Sequence, residues 1–208
     1  MSKTKIKYIC SNCGYESLRW IGKCPECESW NSFTEEIVET SPRKANISKS
    51  KFSYNKILDI SANEEDRVKT GIIEFDRVLG GGIMPGSVIL LGGDPGIGKS
   101  TIAMQAATSI KEKVLYVTGE ESEKQIKLRS SRLKVKSDSF FVQAETELSN
   151  ILGAIKEISP SVVIIDSIQT TYRSELENSP GTITQIRECA AMLMEEAKKN
   201  HYSVIIIG

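Results

Sequence analysis

The chain has 208 residues, 39% hydrophobic and 26% charged, with 27 basic and 27 acidic side chains and a formal net charge of zero. That balance suits a globular protein and gives no global basic field announcing nucleic acid, although a local groove can be basic within a neutral chain. There is no apolar run of about eighteen residues to span a membrane and no apolar signal core after Met1-Ser2-Lys3-Thr4-Lys5, so we expect a cytoplasmic protein, one α/β domain with a small appendage.

The first feature along the chain is a pair of thiol knuckles, Cys10-x-x-Cys13 and Cys24-x-x-Cys27. Four thiolates complete a closed tetrahedral zinc site with no position left for substrate, so the metal is structural. The gap between the pairs is shorter than usual for this pattern, which predicts a very small ribbon over residues 1–33. So short a segment cannot bury enough apolar surface to fold unaided, and zinc would contribute roughly 10 kcal/mol or more. Disulfides are the alternative, but they rarely persist in a reducing cytosol. Residues 34–56 read as a flexible linker, acidic first (Glu35, Glu36, Glu39), then basic and Ser-rich, with Pro42 and no periodicity.

From residue 57 to 208 apolar strands alternate with helical patterns. The first strong strand, Val88 to Leu91, is followed by Gly93-Asp94-Pro95-Gly96-Ile97-Gly98-Lys99-Ser100-Thr101 and a helix-like stretch to Ile110. This is G-x-x-x-x-G-K-[ST] in its strand–loop–helix setting, the phosphate-binding P-loop. Its glycines let backbone N–H groups turn toward phosphates at a helix N-terminus. Lys99 would reach the β and γ phosphates of ATP, and the Ser100 hydroxyl would ligate Mg²⁺.

The next strand, Val114 to Val117, ends at Thr118-Gly119-Glu120-Glu121. These acids lie where a group must orient or deprotonate the attacking water, with Glu120 the first choice and Glu121 the second. An acidic helix start stabilised by the macrodipole is the plainer reading of both. The basic stretch Lys124 to Lys136 could line DNA or face a neighbouring subunit, and a solvated face is slightly favoured. Further strands fall at Phe140 to Val142, Val162 to Ile165 and Tyr202 to Ile207. The fourth of the five strands runs into Asp166, which would hold Mg²⁺ opposite Ser100. Helical spacing appears at Leu148, Ile151, Leu152, Ile155 and Ile158, and again at Ile183, Ile186, Ala190, Leu193, Met194 and Ala197. The pattern predicts a mostly parallel sheet with helices on both faces and ligands at the carboxyl ends of its strands. Cys189 reads as a buried small hydrophobe, and His201 as a surface residue without a catalytic role. Because a buried strand runs almost to Gly208, the chain reads as a fragment.

Several stretches carry a resemblance: Tyr8 to Ser17, Asp76 to Gly82, Gly92 to Thr101, Tyr116 to Ser122, Asp166 to Thr170 and Pro180 to Glu188. In content and order they resemble the bacterial RadA (Sms) family of DNA repair proteins, over nearly the whole chain except the linker. The resemblance implies a zinc ribbon followed by a RecA-like ATPase core that assembles as a homo-hexamer on DNA. It also implies binding of single-stranded and branched DNA, ATP-driven branch migration in double-strand break repair, and RecA recombinase as a collaborator. The loop from Thr171 to Thr182 would face DNA, with Arg173 as its single basic residue. Glu28 stands where the family usually has Gly, and the family continues with a Lys-Asn-Arg-Phe-Gly motif and a Lon-protease-like domain beyond residue 208. The competing reading is a KaiC-like RecA-fold ATPase acting on protein partners.

Overall fold

The computed structural model describes residues 4–39, 56–59, 67–132 and 138–208, and the chain divides into two units, residues 1–64 and 65–208. In the first unit, β1 (Thr4–Cys10) pairs antiparallel with β3 (Phe33–Glu39) along its whole length and with the two-residue β2 (Glu16–Ser17) at Tyr8 and Ile9. Strand β3 therefore runs six residues into the stretch expected to be linker. The reason lies in the partner: the antiparallel register with β1 continues unbroken from Cys10 opposite Phe33 to Thr4 opposite Glu39, so backbone pairing carries the strand on. One 3₁₀ turn, Ile57–Asp59, also falls in this unit, ahead of the division at residue 64, whereas the expected ATPase domain begins at 57. The rest of the expected linker lies outside the described residues, apart from Lys56.

In the second unit, Arg67 to Gly86 forms an entry segment. It is closed by the Thr70 amide and hydroxyl, which both donate to Asp76 Oδ1 of the short helix α1 (Ile73–Val78), at 2.9 and 2.7 Å. Five strands follow, β4 (Val88–Leu91), β5 (Val114–Thr118), β6 (Phe140–Ala144), β7 (Val162–Asp166) and β8 (Ser203–Ile207). They form one sheet in the order β4-β8-β7-β5-β6, every neighbour parallel. Every residue of β5, β7 and β8 is buried, which is why they read as continuous apolar runs rather than alternating ones. The alternation survives in which face each residue covers. Leu115, Val117, Val163, Ile165, Val204 and Ile206 pack with α4 (Leu148–Ile158) and α5 (Ile183–Asn200). Val114, Tyr116, Val162, Ile164 and Ile205 pack instead with α2 (Lys99–Ser109) and α3 (Glu123–Arg132).

Helix α4 spans the stretch its periodicity predicts. Its N-cap is Glu147, whose carboxylate accepts the Asn150 amide at 3.2 Å. Helix α5 differs from expectation on one point. Its buried line is Gln185, Cys189, Leu193 and Ala197, whereas Met194 is 43% exposed and Ile183, Ile186 and Ala190 are half-buried. The line turns because a polar residue belongs to it. Gln185 is fully satisfied by backbone: its Nε2 donates to Arg173 O at 3.1 Å and Asn178 O at 2.8 Å, and its Oε1 accepts the Arg173 amide at 2.9 Å. Cys189 is buried as expected, and burial pushes its thiol up to about 11. No helix among the described residues is long and apolar enough to cross a membrane.

Candidate functional site

Strand β4 ends at Leu91 and helix α2 begins at Lys99, so the phosphate-binding sequence forms the turn between a strand's carboxyl end and a helix N-terminus. Gly96 and Gly98 both take positive φ, 79° and 102°, and a Cβ on either would meet no atom within 4 Å. The turn thus needs glycine for its conformation, and the space that side chains would take is left to the backbone. The first amides of α2 have no partner inside the helix and carry the positive end of its dipole. Lys99 folds back across the loop, its Nζ donating to Gly93 O at 2.6 Å and Asp94 O at 3.0 Å. Asp94, Pro95, Ile97 and Thr101 are exposed around it.

Asp166, at the end of β7, is 8% exposed and gathers the site. Its Oδ1 accepts the Ser100 hydroxyl at 3.1 Å, so the two residues expected to hold Mg²⁺ face each other directly. Two hard oxygen donors beside a phosphate loop suit that ion. Its Oδ2 accepts the hydroxyl of Tyr116 from the neighbouring strand β5. Burial, and then Asp166 itself, holds that phenol well above the ordinary tyrosine range, so it remains a neutral donor. Arg129 of α3 completes the network. Its Nη2 donates to Tyr116 Oη at 3.0 Å and lies 4.0 Å from Asp166 Oδ2, while its Nη1 pairs with Glu121. The peptide bond between Asp166 and Ser167 is cis.

The two candidate glutamates are held differently. Both amides bond to the Thr118 hydroxyl, at 3.3 Å for Glu120 and 3.1 Å for Glu121. The Glu121 side chain is committed to Arg129, whereas exposed Glu120 accepts, among the described residues, only the Ser167 hydroxyl, at 3.1 Å. Glu120 lines a pocket of about 320 Å³ at the carboxyl ends of β5 and β6 with Thr118, Gly119, Glu121, Glu145 and Thr146. Gly119 is present for lack of room: a Cβ there would fall 2.1 Å from Thr170 Oγ1 and 2.8 Å from Thr146 Cγ2.

Sequence reasoning missed Tyr116 and Arg129. Tyr116 reads as one more apolar strand residue, and Arg129 as one of several cations in a basic stretch. The only available signal was the alternation that puts Tyr116 on the P-loop face of the sheet. Within the expected DNA-facing loop, Thr171 is buried and Tyr172 bridges to Glu147. Arg173 is engaged with Glu175 at 3.4 Å and Glu188 at 3.6 Å.

In the first unit, the four predicted cysteines converge. All four sulfurs lie within 4.8 Å of one another, with Cys10 Sγ 3.6 Å from Cys27 Sγ and Cys13 Sγ 3.5 Å from Cys24 Sγ. A tetrahedral zinc–thiolate centre with bonds of about 2.3 Å needs sulfur–sulfur edges of roughly 3.8 Å, so the cluster fits zinc. The hydroxyl and amide of Ser29, with Asn12, hold the Cys27 thiol down to about 5.

Comparison with known proteins agrees with both units. Residues 8–35 match a family model described as a rubredoxin metal binding domain, and residues 68–145 match an ATPase model described as KaiC. The chain is 48% identical over 216 residues to DNA repair protein RadA of Bacillus subtilis (strain 168), an alignment covering 100% of this chain and 47% of that protein. For the RadA of Halalkalibacterium halodurans the identity is 47%, with 100% and 47% covered, and for that of Listeria monocytogenes 44%, with 100% and 46%. The chain thus spans about half the length of the curated relatives it matches. A solved structure of the RadB recombinase aligns at 28% identity with a TM-score of 0.49, covering 68% of this chain and 69% of that one.

Proposed function

We propose that this chain is a member of the RadA family of DNA repair proteins, and that its second unit hydrolyses ATP with Mg²⁺, coupled to single-stranded and branched DNA, to move recombination intermediates in double-strand break repair. The observation that carries the reading is that Asp166, at the carboxyl end of β7, meets Ser100 of the P-loop helix while the adjacent Ser167 meets Glu120 from the end of the neighbouring β5.

In this reading the amides of Gly96 to Ser100 receive the phosphates, and Lys99 leaves its two carbonyl partners to pair with the β and γ oxygens. Ser100 and Asp166 would hold Mg²⁺, which would supply neutralisation of the charge developing on the transferred phosphoryl group. Tyr116 and Arg129 fix the Asp166 carboxylate so that one oxygen stays directed at Ser100. Glu120 takes the proton of the attacking water or orients it, because it accepts the hydroxyl of Ser167 next to Asp166 and has no ion pair among the described residues. Glu121 is a positioning residue, anchored to Arg129. The hexameric ring, RecA as collaborator and a cytoplasmic setting come with the family.

The test is Mg²⁺-ATP turnover with and without single-stranded DNA, beside Lys99→Ala. DNA stimulation that vanishes in the variant supports the reading. The KaiC match over residues 68–145 favours one alternative, a RecA-fold ATPase directed at protein. Turnover indifferent to DNA would move the conclusion there.

A further inference from the structure

Both tryptophans of the chain, Trp20 and Trp30, lie in the zinc ribbon, and both are exposed, at 54% and 72%. A Cβ on Gly22 would fall 3.6 Å from Cη2 of Trp20 and 4.0 Å from Cζ3 of Trp30, so the benzo rings of both indoles border the same residue, one that has no side chain. Trp30 is fixed by an antiparallel bridge to Lys23, and the Asn31 amide donates to Gly22 O at 2.8 Å. Leu18, 81% exposed, stands two residues before Trp20. The ribbon's own small core, around Cys10, Cys24 and Phe33, uses none of these side chains.

Charge decides what such a surface takes. Of the three ribbon cations described with their side chains, Lys7 is paired with Glu16 at 2.7 Å and Lys23 with Glu28 at 2.8 Å. Arg19, between Leu18 and Trp20, is exposed and has no ion pair among the described residues. Two exposed indoles bordering one glycine, with an exposed arginine next to Trp20 in sequence, match a chain that alternates flat rings with negative charges. A duplex offers no unstacked ring to such a face, whereas a single strand does. We infer that Leu18, Arg19, Trp20 and Trp30 form a stacking platform for unpaired bases of single-stranded DNA, with Arg19 beside the phosphate. This rests on the DNA-directed reading above and assigns the ribbon a part in it.

Because no other tryptophan is present, the intrinsic emission of the zinc-loaded 208-residue chain reports on this face alone. The chain is titrated with a thymidine oligonucleotide and, in parallel, with an oligomer of equal length made of abasic sites, while the anisotropy of a labelled strand reports binding overall. Quenching by the thymidine strand, but not by the abasic one, supports the platform. Trp20→Ala and Trp30→Ala should each weaken binding roughly ten-fold, and a chain carrying both Trp20→Phe and Trp30→Phe should keep affinity without tryptophan emission. Zinc content measured on every variant establishes that the ribbon is still built. Binding seen by anisotropy without quenching, or equal quenching by the abasic strand, overturns the platform and leaves the ATPase reading intact. No binding of either strand removes the DNA-directed reading as well.

Discussion

Replacing each of the adjacent glutamates by glutamine separates two roles that their shared position at the end of β5 confounds. Glu121 pairs with Arg129 where both side chains are less than one-third exposed, at 29% and 27%. A hydrogen bond to a charged group contributes about 1.5–3 kcal/mol and a neutral one about 0.5–1.5 kcal/mol. Glu121→Gln keeps an acceptor for Arg129 and loses the charge, so it should lower unfolding stability by about 1 kcal/mol. Glu120→Gln keeps the acceptor for Ser167 and disturbs no ion pair, so its stability should stay within about 0.5 kcal/mol of wild type. The rates should run the other way. Loss of a general base costs about 10²- to 10⁴-fold, equal to roughly 3–5 kcal/mol of barrier, and should appear in Glu120→Gln. Urea denaturation followed by circular dichroism reads the first quantity, and single-turnover ATP hydrolysis the second. If Glu120→Gln turns over at the wild-type rate while Glu121→Gln is inactive but fully stable, the assignment drawn from the Arg129 contact is wrong.

Other outcomes follow from the packing. Gly119→Ala should cost about 1–3 kcal/mol through collision with Thr170, and Thr170→Ala in the same chain should recover part of it, as a double-mutant cycle by denaturation would read. Cys189 has its proton held more tightly in the folded chain, about 11 against an ordinary 9.0. Its contribution to stability is therefore complete below about pH 9 and lost as pH rises toward 11, and at pH 8 the native thiol should resist alkylation until denaturant is added. Chelation of zinc should abolish the ribbon's tryptophan environment while leaving the helical circular dichroism of the second unit in place, because their cores are separate clusters.

The sheet was legible because its strands are buried on both faces, so burial and hydropathy coincide over Val114–Thr118 and Val162–Asp166. The P-loop was legible for a different reason: its glycines are required by backbone geometry and leave a fixed spacing. The strand beyond residue 33 was not, since its support is cross-strand: Thr34 and Glu35 look like solvated linker until Ile9 and Tyr8 are placed opposite them. Gln185 and Arg129 were hidden for the complementary reason. A buried amide and a half-buried guanidinium are stabilised by partners 12 residues away at Arg173 and 37 away at Asp166, and no local pattern encodes such distances.

Strand β4 carries the nucleotide loop at its end, yet in the described sheet it pairs with β8, Val88 with Val204 through Leu91 with Ile207. Its hydrogen-bonding partner is thus made more than a hundred residues later. At a synthesis rate of roughly 5–20 residues per second, several seconds pass in which Val88-Ile89-Leu90-Leu91 is an apolar segment without a neighbour. The strands β5, β6 and β7 can associate in that interval, whereas β4 meets β8 across the longest separation in the described sheet. A nascent chain therefore completes the hydrogen bonding of its nucleotide-bearing strand only once β8 has been made and docks beside it.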